Sequence, residues 1–515
     1  MDLIAQNRIS GIPRRRSDAS MSLCEENSES RQEDEGLISA IELERGKVFA
    51  GKRDEYPPWL FGHPKGLYVL AATEVWERFG FYGMRSLLIL YMTQELFLPE
   101  RRGGVWGLGM LAGAEAEDVA PQVLASRVYG LYTSAAYLVP IAGGFVADHY
   151  IGRRRTVMAG AALMSLGYLL LAASPNALLG ALALVAVGSG ALKPNVSSQI
   201  GSMYDSWDSR KSTAFLIFYC GINLGAFLSP IVSGVLHATL GFGAGFLASS
   251  VAVLFGLAQY LAGMRHTPPD WRDAEGRRAR SLSGHGKGAE DPRGRAPFLQ
   301  RLAMHRGRLT AIVLVCLLTV GFWSVYEQQG NTLPIFADQE VALHLGPVQV
   351  PTEFVQSINP LFIIAFTPLL SAFWRRQAKF GHEPSSLTKM SMGCLILSLC
   401  YVWLAAAVWL TGPSEKVGPG HLVVAIALAT VGELYLAPVG LAFVSETAPE
   451  DLTAFVMGLW FIASSIGFYV CGALGTLYSW MLHGSFFGML AAIAAVNGLL
   501  LMIAKGVLQR ALQNS

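Results

Sequence analysis

Twelve stretches of mostly apolar residues run along the chain, and each is long enough to cross a lipid bilayer. About 20 apolar residues span the hydrocarbon core as a helix, and the turns between these stretches are rich in Gly, Pro, Asn and charged residues. The predicted helices cover residues 66–95, 127–149, 155–174, 177–204, 213–238, 241–263, 308–336, 353–374, 386–411, 420–446, 453–480 and 485–506. This pattern predicts an all-α integral membrane protein with twelve transmembrane helices.

The composition and the cysteines exclude several other classes of protein. Hydrophobic residues make up 52% of the 515-residue chain and charged residues only 15%, against about 25% charged residues in soluble domains. The net charge of +2 is too small to indicate a nucleic-acid partner. Cys24 lies in a polar tail and the other five cysteines lie in apolar stretches, with no CxxC or Cys/His cluster at metal spacing. We therefore expect no disulfide framework, no metal and no cofactor.

Lysine and arginine are unevenly distributed between alternate loops, which predicts the orientation of the chain. Residues 153–155 are all arginine, and residues 265–308 hold eleven basic residues against five acidic ones. On the opposite side, the loop at 337–352 contains Asp338 and Glu340 and no lysine or arginine. Because basic loops stay in the cytoplasm, we expect both termini to be cytoplasmic in a multi-pass protein of the plasma or inner membrane.

The polar stretch after the sixth predicted helix divides the chain into two halves of six helices. The expected divisions are a disordered cytoplasmic N-terminal tail (1–60), a first bundle (61–264), a cytoplasmic linker (265–307), a second bundle (308–508) and a C-terminal tail (509–515). Two six-helix bundles with a site between them at the midplane are the layout of the major facilitator fold. Residues 33–38 read EDEGLI, which resembles an endosomal sorting signal. An endolysosomal membrane is therefore the alternative location, and a chance match in a disordered tail is the simpler interpretation.

The first predicted helix carries four charged residues at a depth where lipid disfavours them. They are Glu74, Glu77, Arg78 and Arg85. A charge at mid-helix costs about 2.5–3.5 kcal/mol on insertion scales, so four unpaired charges cost on the order of 10 kcal/mol. Together with Tyr82 they lie on one face of the helix, and Glu74 and Arg78 form an i,i+4 pair. The pattern favours an internal site for anions and protons, and the alternative is a salt bridge that only fixes helix packing.

Three further predicted helices each contain one isolated ionisable residue. Lys193 lies in the fourth helix, Glu327 in the seventh and Glu433 in the tenth. Such residues in transmembrane segments are candidates for a functional site. Pro194 follows Lys193 directly and Pro438 follows Glu433 by five residues, and proline distorts helices and frees backbone groups for ligands. For any one of the three charges, the alternative is a structural Lys–Glu bridge.

Cations in the first half and carboxylates in the second half together suggest a zwitterionic ligand. Its carboxylate would lie against Arg78, Arg85 or Lys193, and its amino group would lie near Glu433. Burial favours the neutral form of a carboxyl group and a nearby cation favours the charged form, so Glu327 and the acidic pair of the first helix are candidates to bind and release protons. The residues expected to supply walls and neutral hydrogen bonds are Tyr82, Tyr137, Asn223, Trp323 and Asn359.

A basic turn follows the second predicted helix. It contains Asp148 and, five residues later, Arg153. An acid beside a cluster of arginines in a cytoplasmic turn is a candidate gate, which would pair and separate as the protein changes shape. The alternative is that the three arginines only set the orientation of the helices.

Several segments resemble the proton-dependent oligopeptide transporters of the major facilitator superfamily. Residues 74–83 read EVWERFGFYG, which is similar to that family's ExxERFxYYG signature. The sequence departs from the signature at Phe81, where the family usually has tyrosine. Residues 218–227 resemble the family's fifth-helix signature, residues 432–441 its tenth-helix signature, and residues 193–195 its fourth-helix lysine segment.

The resemblance implies proton-coupled symport of di- and tripeptides, with short peptides, protons and the lipid bilayer as partners. It implies that Arg85 and Lys193 hold the peptide carboxylate. It implies that Glu433, with Asn223 and Asn359, holds the amino terminus. Proton coupling would involve Glu74, Glu77, Arg78 and Glu327. We expect the protein to function as a monomer.

There are two alternatives to peptide transport. The first is the same fold transporting nitrate, amino acids or drugs, although Glu433 would repel a purely anionic substrate. The second, from a different class of protein, is a membrane enzyme or sensor without transport. We do not expect an enzyme, because the polar segments are too short to fold as a domain and contain no nucleophile–base pair, metal cluster or phosphate loop.

Overall fold

The computed structural model describes residues 56–112, 119–205, 208–270, 298–449 and 452–513. Most of the expected N-terminal tail, including the EDEGLI segment, and most of the linker lie outside the described residues. Within the described residues the chain is almost entirely helical, and its strands are a two-residue antiparallel pair, β1 (His344–Leu345) and β2 (Val348–Gln349).

Twelve long helices form the body of the described structure. Those of the first half are α1 (Lys65–Tyr91), α2 (Pro121–Val146), α3 (Arg153–Ala173), α4 (Leu178–Ser202), α5 (Arg210–Leu240) and α6 (Phe242–Gly263). Those of the second half are α7 (Arg306–Tyr326), α8 (Val355–Lys379), α9 (Ser386–Thr411), α10 (Pro419–Thr447), α11 (Thr453–Gly475) and α12 (His483–Gln513).

Short helical segments lie between or beside the long ones. Two extend α1 and α2 as π-helical turns, Met92–Leu96 and Ala147–Ile151. The short α-helices are Leu108–Ala112, Phe298–Met304 and Thr332–Glu340. The 3-10 turns are Leu60–Gly62, Arg102–Gly104, Pro175–Ala177, Met264–His266, Glu327–Gln329, Thr352–Phe354 and Thr476–Ser479.

The long helices pack as two bundles of six. In the first bundle α1 packs against α5 and α6, and α3 packs against α4 and α6. In the second bundle α9 packs against α10 and α12, and α7 packs against α11 and α12. The bundles meet along two seams, one between α2 and α11 and the other between α5 and α8. The packing is therefore the two-bundle arrangement expected from the six-plus-six pattern.

Eleven described helices are long and apolar enough to cross a membrane by length and composition. The long helix that fails this criterion is α1, which contains the four charges discussed above. Its 27 residues correspond to about 40 Å at a rise of 1.5 Å per residue, which is ample for a bilayer core. Because the side chains of Glu74, Glu77 and Arg78 are buried in the protein, its charges do not face lipid.

The structure corrects two helix boundaries. The second helix begins at Pro121 rather than at 127, with the proline at a first-turn position where its missing N–H is no loss. The seventh helix, expected to be continuous to residue 336, ends at Tyr326 and resumes at Thr332. Polar side chains stabilise this break. Gln328 donates to the Cys471 carbonyl at 2.9 Å and accepts from Thr332 at 3.0 Å.

The bundles are joined by polar contacts at the end where α1 finishes and α2 begins. Ser126 donates to the side chain of Asn331 at 2.9 Å. At the α5–α8 seam, Nδ1 of His237 lies 2.6 Å from a carboxylate oxygen of Glu353, whose side chain is buried. We call this the closed end. It is opposite the end that carries the linker between α6 and α7, because α1 and α5 both run toward it.

Two glycines allow the backbones to touch at the closed end. A Cβ atom on Gly130 of α2 would lie 2.6 Å from the Cα of Gly472 in α11. Small residues that permit such close approach are typical of helix contacts in membranes. The contact lies beside Cys471, whose side chain is fully buried.

Gly130→Val should prevent the closed end from closing, because the added methyl groups would overlap the α11 backbone. We expect Cys471, in a chain whose other cysteines are replaced by serine, to react with a thiol reagent at least about tenfold faster in this variant. Gly488→Val is the matched control, since a Cβ at Gly488 meets nothing within 4 Å. Equal labelling rates in the two variants would contradict the assignment of this contact to the closed end.

Candidate functional site

The charged face of α1 forms a buried cluster with one cation between two acids. Nε of Arg78 lies 3.1 Å from Oε1 of Glu74, and the same guanidinium also pairs with Glu77. Ser189 of α4 donates to Glu77 at 3.3 Å. All three charged residues are at most 6% exposed. Two carboxylates share one arginine, so the cluster has one more acid than cation and is suited to exchange a proton.

Lys193 lies beside this cluster and against aromatic rings. Its ammonium is 4.3 Å from the ring centroid of Phe81 and 5.7 Å from that of Tyr137. Both distances are within the range of a cation–π contact. The departure from the family signature at Phe81 removes a hydroxyl, yet it keeps the ring face that the lysine contacts. Among the described residues no carboxylate lies within ion-pair distance of Lys193.

A second charged group joins the two bundles. Nη2 of Arg85 lies 2.6 Å from Oε1 of Glu327, and Nε of Arg85 donates to the hydroxyl of Tyr129 at 3.0 Å. Tyr129 in turn donates to Glu327 at 2.9 Å. A Cβ at Gly330 would lie 1.9 Å from this hydroxyl and would also collide with the Arg85 guanidinium. Only glycine therefore leaves room for these two side chains beside the break in the seventh helix. The ion pair therefore connects α1 to the broken helix.

The third group surrounds Glu433 in the second bundle. Tyr326 donates its hydroxyl to the carboxylate, and Nδ2 of Asn359 donates to it at 3.1 Å. Asn359 also donates to Thr430 at 3.0 Å. These contacts hold the carboxylate in place with neutral donors, and no cation lies within ion-pair distance of it among the described residues. Glu433 is thus free to receive a cationic group of a ligand.

A cavity of about 120 Å³ lies between the bundles and contains charges from both. Arg85 is on its α1 wall and Glu433 is on its α10 wall. The other residues proposed from the sequence that line it are Tyr82, Tyr137, Asn223, Trp323, Glu327 and Asn359. The indole nitrogen of Trp323 and the amide nitrogens of Gln329 and Gln356 also belong to lining residues, and each lacks a described hydrogen-bond acceptor. The cavity thus offers donors for carbonyl groups.

A larger cavity of about 680 Å³ lies nearer the linker end and is lined by the α1 cluster. Glu74, Arg78 and Lys193 face it from the first bundle, and Phe461 faces it from α11. Tyr137 lines both cavities. The two cations assigned by resemblance to one carboxylate are therefore in different cavities, with Arg85 in the smaller and Lys193 in the larger.

The proposed gating residues lie on the turn between α2 and α3. Nη2 of Arg153 is 3.1 Å from Oδ1 of Asp148. Both side chains are at least one-third exposed and both belong to the first bundle. This contact orders the turn and does not itself join the bundles.

Tyr129 and Tyr326 are two residues of the site that the sequence analysis missed. Each donates directly to a functional carboxylate. A signal for Tyr129 was present, because it precedes Tyr137 by eight residues and so lies on the same face of α2. Tyr326 directly precedes Glu327, and nothing in the local pattern connects it to Glu433.

A family model and two relatives indicate the same class of protein. The model of the POT family matches residues 154–275 and 289–489. The peptide transporter YePEPT of Yersinia enterocolitica is 32% identical over 81% of this chain and 88% of its own length. The di-/tripeptide transporter of Lactococcus lactis subsp. lactis is 27% identical over 86% of this chain and 96% of its own length.

A solved structure gives the same result for the fold. It is the crystal structure of a POT family transporter in complex with a thioalcohol conjugated peptide, which is 25% identical. The alignment covers 87% of this chain and 98% of that chain, with a TM-score of 0.72. The structures of the family are twelve-helix transporters of the major facilitator type, so the expected fold class is confirmed and α1 counts as the twelfth transmembrane helix. The family consists of transporters rather than enzymes, which confirms that prediction too, and this chain belongs to the POT family.

Proposed function

We propose that this protein imports di- and tripeptides together with protons, by alternating access of its two bundles to the two sides of the membrane. The observation that carries the proposal is the cavity that has Arg85 on one wall and Glu433 on the other. A short peptide has an anionic and a cationic end, and this cavity offers an opposite charge to each. The names of the relatives and the family support the same substrate class.

The amino end of the peptide binds at Glu433. Tyr326 and Asn359 hold this carboxylate with neutral hydrogen bonds, so a peptide ammonium supplies its missing cation. Asn223 lines the cavity from α5, although its amide now donates to the Tyr219 carbonyl at 2.9 Å. We assign it a hydrogen bond to the peptide once that local bond is released.

The carboxyl end of the peptide binds at Arg85 in competition with Glu327. In this structure the carboxylate of Glu327 forms an ion pair with Arg85. Protonation of Glu327 removes its charge and frees Arg85 for the peptide carboxylate, so proton and peptide bind together. Lys193 supplies a second cation in the larger cavity, where the carboxylate passes on its way to the linker end.

The acidic cluster on α1 is the second proton site of the proposal. Arg78 pairs with both Glu74 and Glu77, and the larger cavity gives Glu74 a route to water. Loss of a proton from this cluster toward the cytoplasm would then follow release of the peptide. Asp148 and Arg153 are assigned to the gate at this end, where their pairing orders the α2–α3 turn.

The proposed orientation places the linker and both termini in the cytoplasm. The closed end then faces outward, and the larger cavity opens toward the inside. The bacterial relatives support the plasma membrane as the location, and a monomer contains both charged walls of the cavity. The test is uptake of a labelled dipeptide by proteoliposomes under an imposed inward proton gradient. Uptake that does not depend on the gradient would contradict proton coupling. Inhibition by nitrate but not by unlabelled dipeptides would favour the alternative substrate classes.

Amidation of the peptide carboxylate should weaken binding strongly. An amidated dipeptide leaves Arg85 buried without an anion when Glu327 is protonated, and a charged hydrogen bond contributes about 1.5–3 kcal/mol. We expect amidated dipeptides to compete roughly tenfold to a hundredfold less well than free ones. Competition assays with matched pairs of peptides measure this, and equal inhibition would show that no cation recognises this end.

A further inference from the structure

Arg127 is a cation on a membrane-spanning helix and has no partner among the residues that the structure describes. It lies in α2, six residues after Pro121, and its side chain is exposed. At 1.5 Å per residue this places it about 9 Å below the start of the helix. Among the described residues no carboxylate is within ion-pair distance of it. An exposed arginine near the end of a membrane-spanning helix reaches the level of the lipid headgroups, so an anionic headgroup can supply its counter-charge.

Two grooves run along α2 on either side of Leu131, one turn below Arg127. The first is about 430 Å³ in volume, lies against α4 and the Trp106–Met110 segment and is almost wholly apolar. Its lining includes the small side chains of Ala135, Ala183 and Ala186. The second is about 420 Å³ and lies against α11, where it is lined by Arg127, Leu131, Tyr469, Ala473 and Thr476. Leu131 lines both, so the grooves are adjacent.

We propose that one anionic phospholipid binds astride Leu131, with its phosphate on Arg127 and one acyl chain in each groove. An arginine matches a phosphate oxygen pair geometrically, and the two grooves meet at Leu131, one turn below it. The order of phosphate and acyl chains down α2 is the order of these groups in a leaflet. No zwitterionic headgroup is favoured, because its ammonium or choline would be repelled by Arg127.

The site crosses the seam between the bundles, which gives the lipid a functional consequence. The first groove belongs to the first bundle, and the second groove includes Tyr469 and Ala473 of α11 in the second bundle. A lipid with a chain in each groove contacts both sides of the seam while the closed end is closed. Its binding therefore stabilises this state relative to one in which α2 and α11 have separated.

Native mass spectrometry of the purified full-length chain tests the proposal. We expect phosphatidylglycerol to bind at least about tenfold more tightly than phosphatidylcholine of the same chain length, with one lipid retained. Arg127→Gln should remove this preference. Lys416→Gln is the matched control, because Lys416 is an exposed cation on an outer loop of the second bundle and should leave the preference unchanged.

A second variant separates the acyl chains from the phosphate. Ala183→Phe fills the first groove and keeps Arg127, and it should also lower phosphatidylglycerol binding about tenfold. Glycerol phosphate, which has the headgroup without the chains, should not compete. Equal retention of the two lipids by the unmodified chain, or unchanged retention by both variants, would show ordinary surrounding lipid only and would overturn the proposal. Gel filtration checks that each variant is folded.

Discussion

Glu327→Gln is expected to abolish proton-driven peptide uptake while leaving the chain folded and inserted. The carboxylate pairs with Arg85 at 2.6 Å across the two bundles and accepts a hydrogen bond from Tyr129. Glutamine keeps the shape but cannot take up or release a proton. Removing one partner of a buried pair also costs about 3–5 kcal/mol, so the variant should be less stable. Uptake under an inward proton gradient should fall to the background of empty vesicles.

A second measurement, peptide exchange, distinguishes loss of coupling from loss of folding. Exchange of labelled for unlabelled peptide needs no net proton movement, so the variant should retain exchange if Glu327 acts in coupling. Glu415→Gln is the matched control, since Glu415 lies on an exposed loop, and it should transport normally. Lys193→Ala should also abolish driven uptake, with Lys416→Ala as its control. Near-normal driven uptake in Glu327→Gln would remove Glu327 from the coupling assignment, and near-normal uptake in Lys193→Ala would remove Lys193 from the path of the peptide carboxylate.

Glu433→Gln should weaken the binding of free peptides far more than the binding of N-acetylated ones. The side chain is held by Tyr326 and Asn359 and has no described cation beside it. Replacing the carboxylate by an amide removes a charge-assisted contact of about 1.5–3 kcal/mol with the peptide ammonium. That corresponds to roughly tenfold to a hundredfold in affinity for free peptides. An acetylated peptide has no ammonium, so its affinity should change little.

Competition assays measure the affinities of each peptide and its acetylated form for the parent chain and for Glu433→Gln. The coupling free energy between the mutation and the acetylation isolates the contact between Glu433 and the peptide ammonium. Asn359→Ala should reduce the same difference in part, because it leaves the charge but removes one of the groups that orient it. A similar loss of affinity for free and acetylated peptides would place Glu433 in proton coupling or structure, together with Glu327.

The candidate charges were predictable from the sequence because lipid makes them conspicuous. A charged side chain in an apolar stretch is disfavoured wherever the helix faces, so Glu74, Lys193, Glu327 and Glu433 stood out before any contact was known. Neutral partners do not stand out in this way. A tyrosine such as Tyr129 is common in membrane helices, and its role depends on the residue opposite it.

The number of long helices, the division into two bundles and the charged residues within the membrane could all be predicted from the sequence. The reason is that hydropathy over about 20 residues and helical spacing are local properties. The pairing of those charges could not be predicted and became visible in the folded protein. Tyr129 and Glu327 are 198 residues apart in the chain, and the break after Tyr326 is stabilised by contacts with Cys471 of another helix. The separation of Arg85 and Lys193 into two cavities depends on how the bundles meet, because a contact between distant segments is set by packing and leaves no periodic trace in either segment.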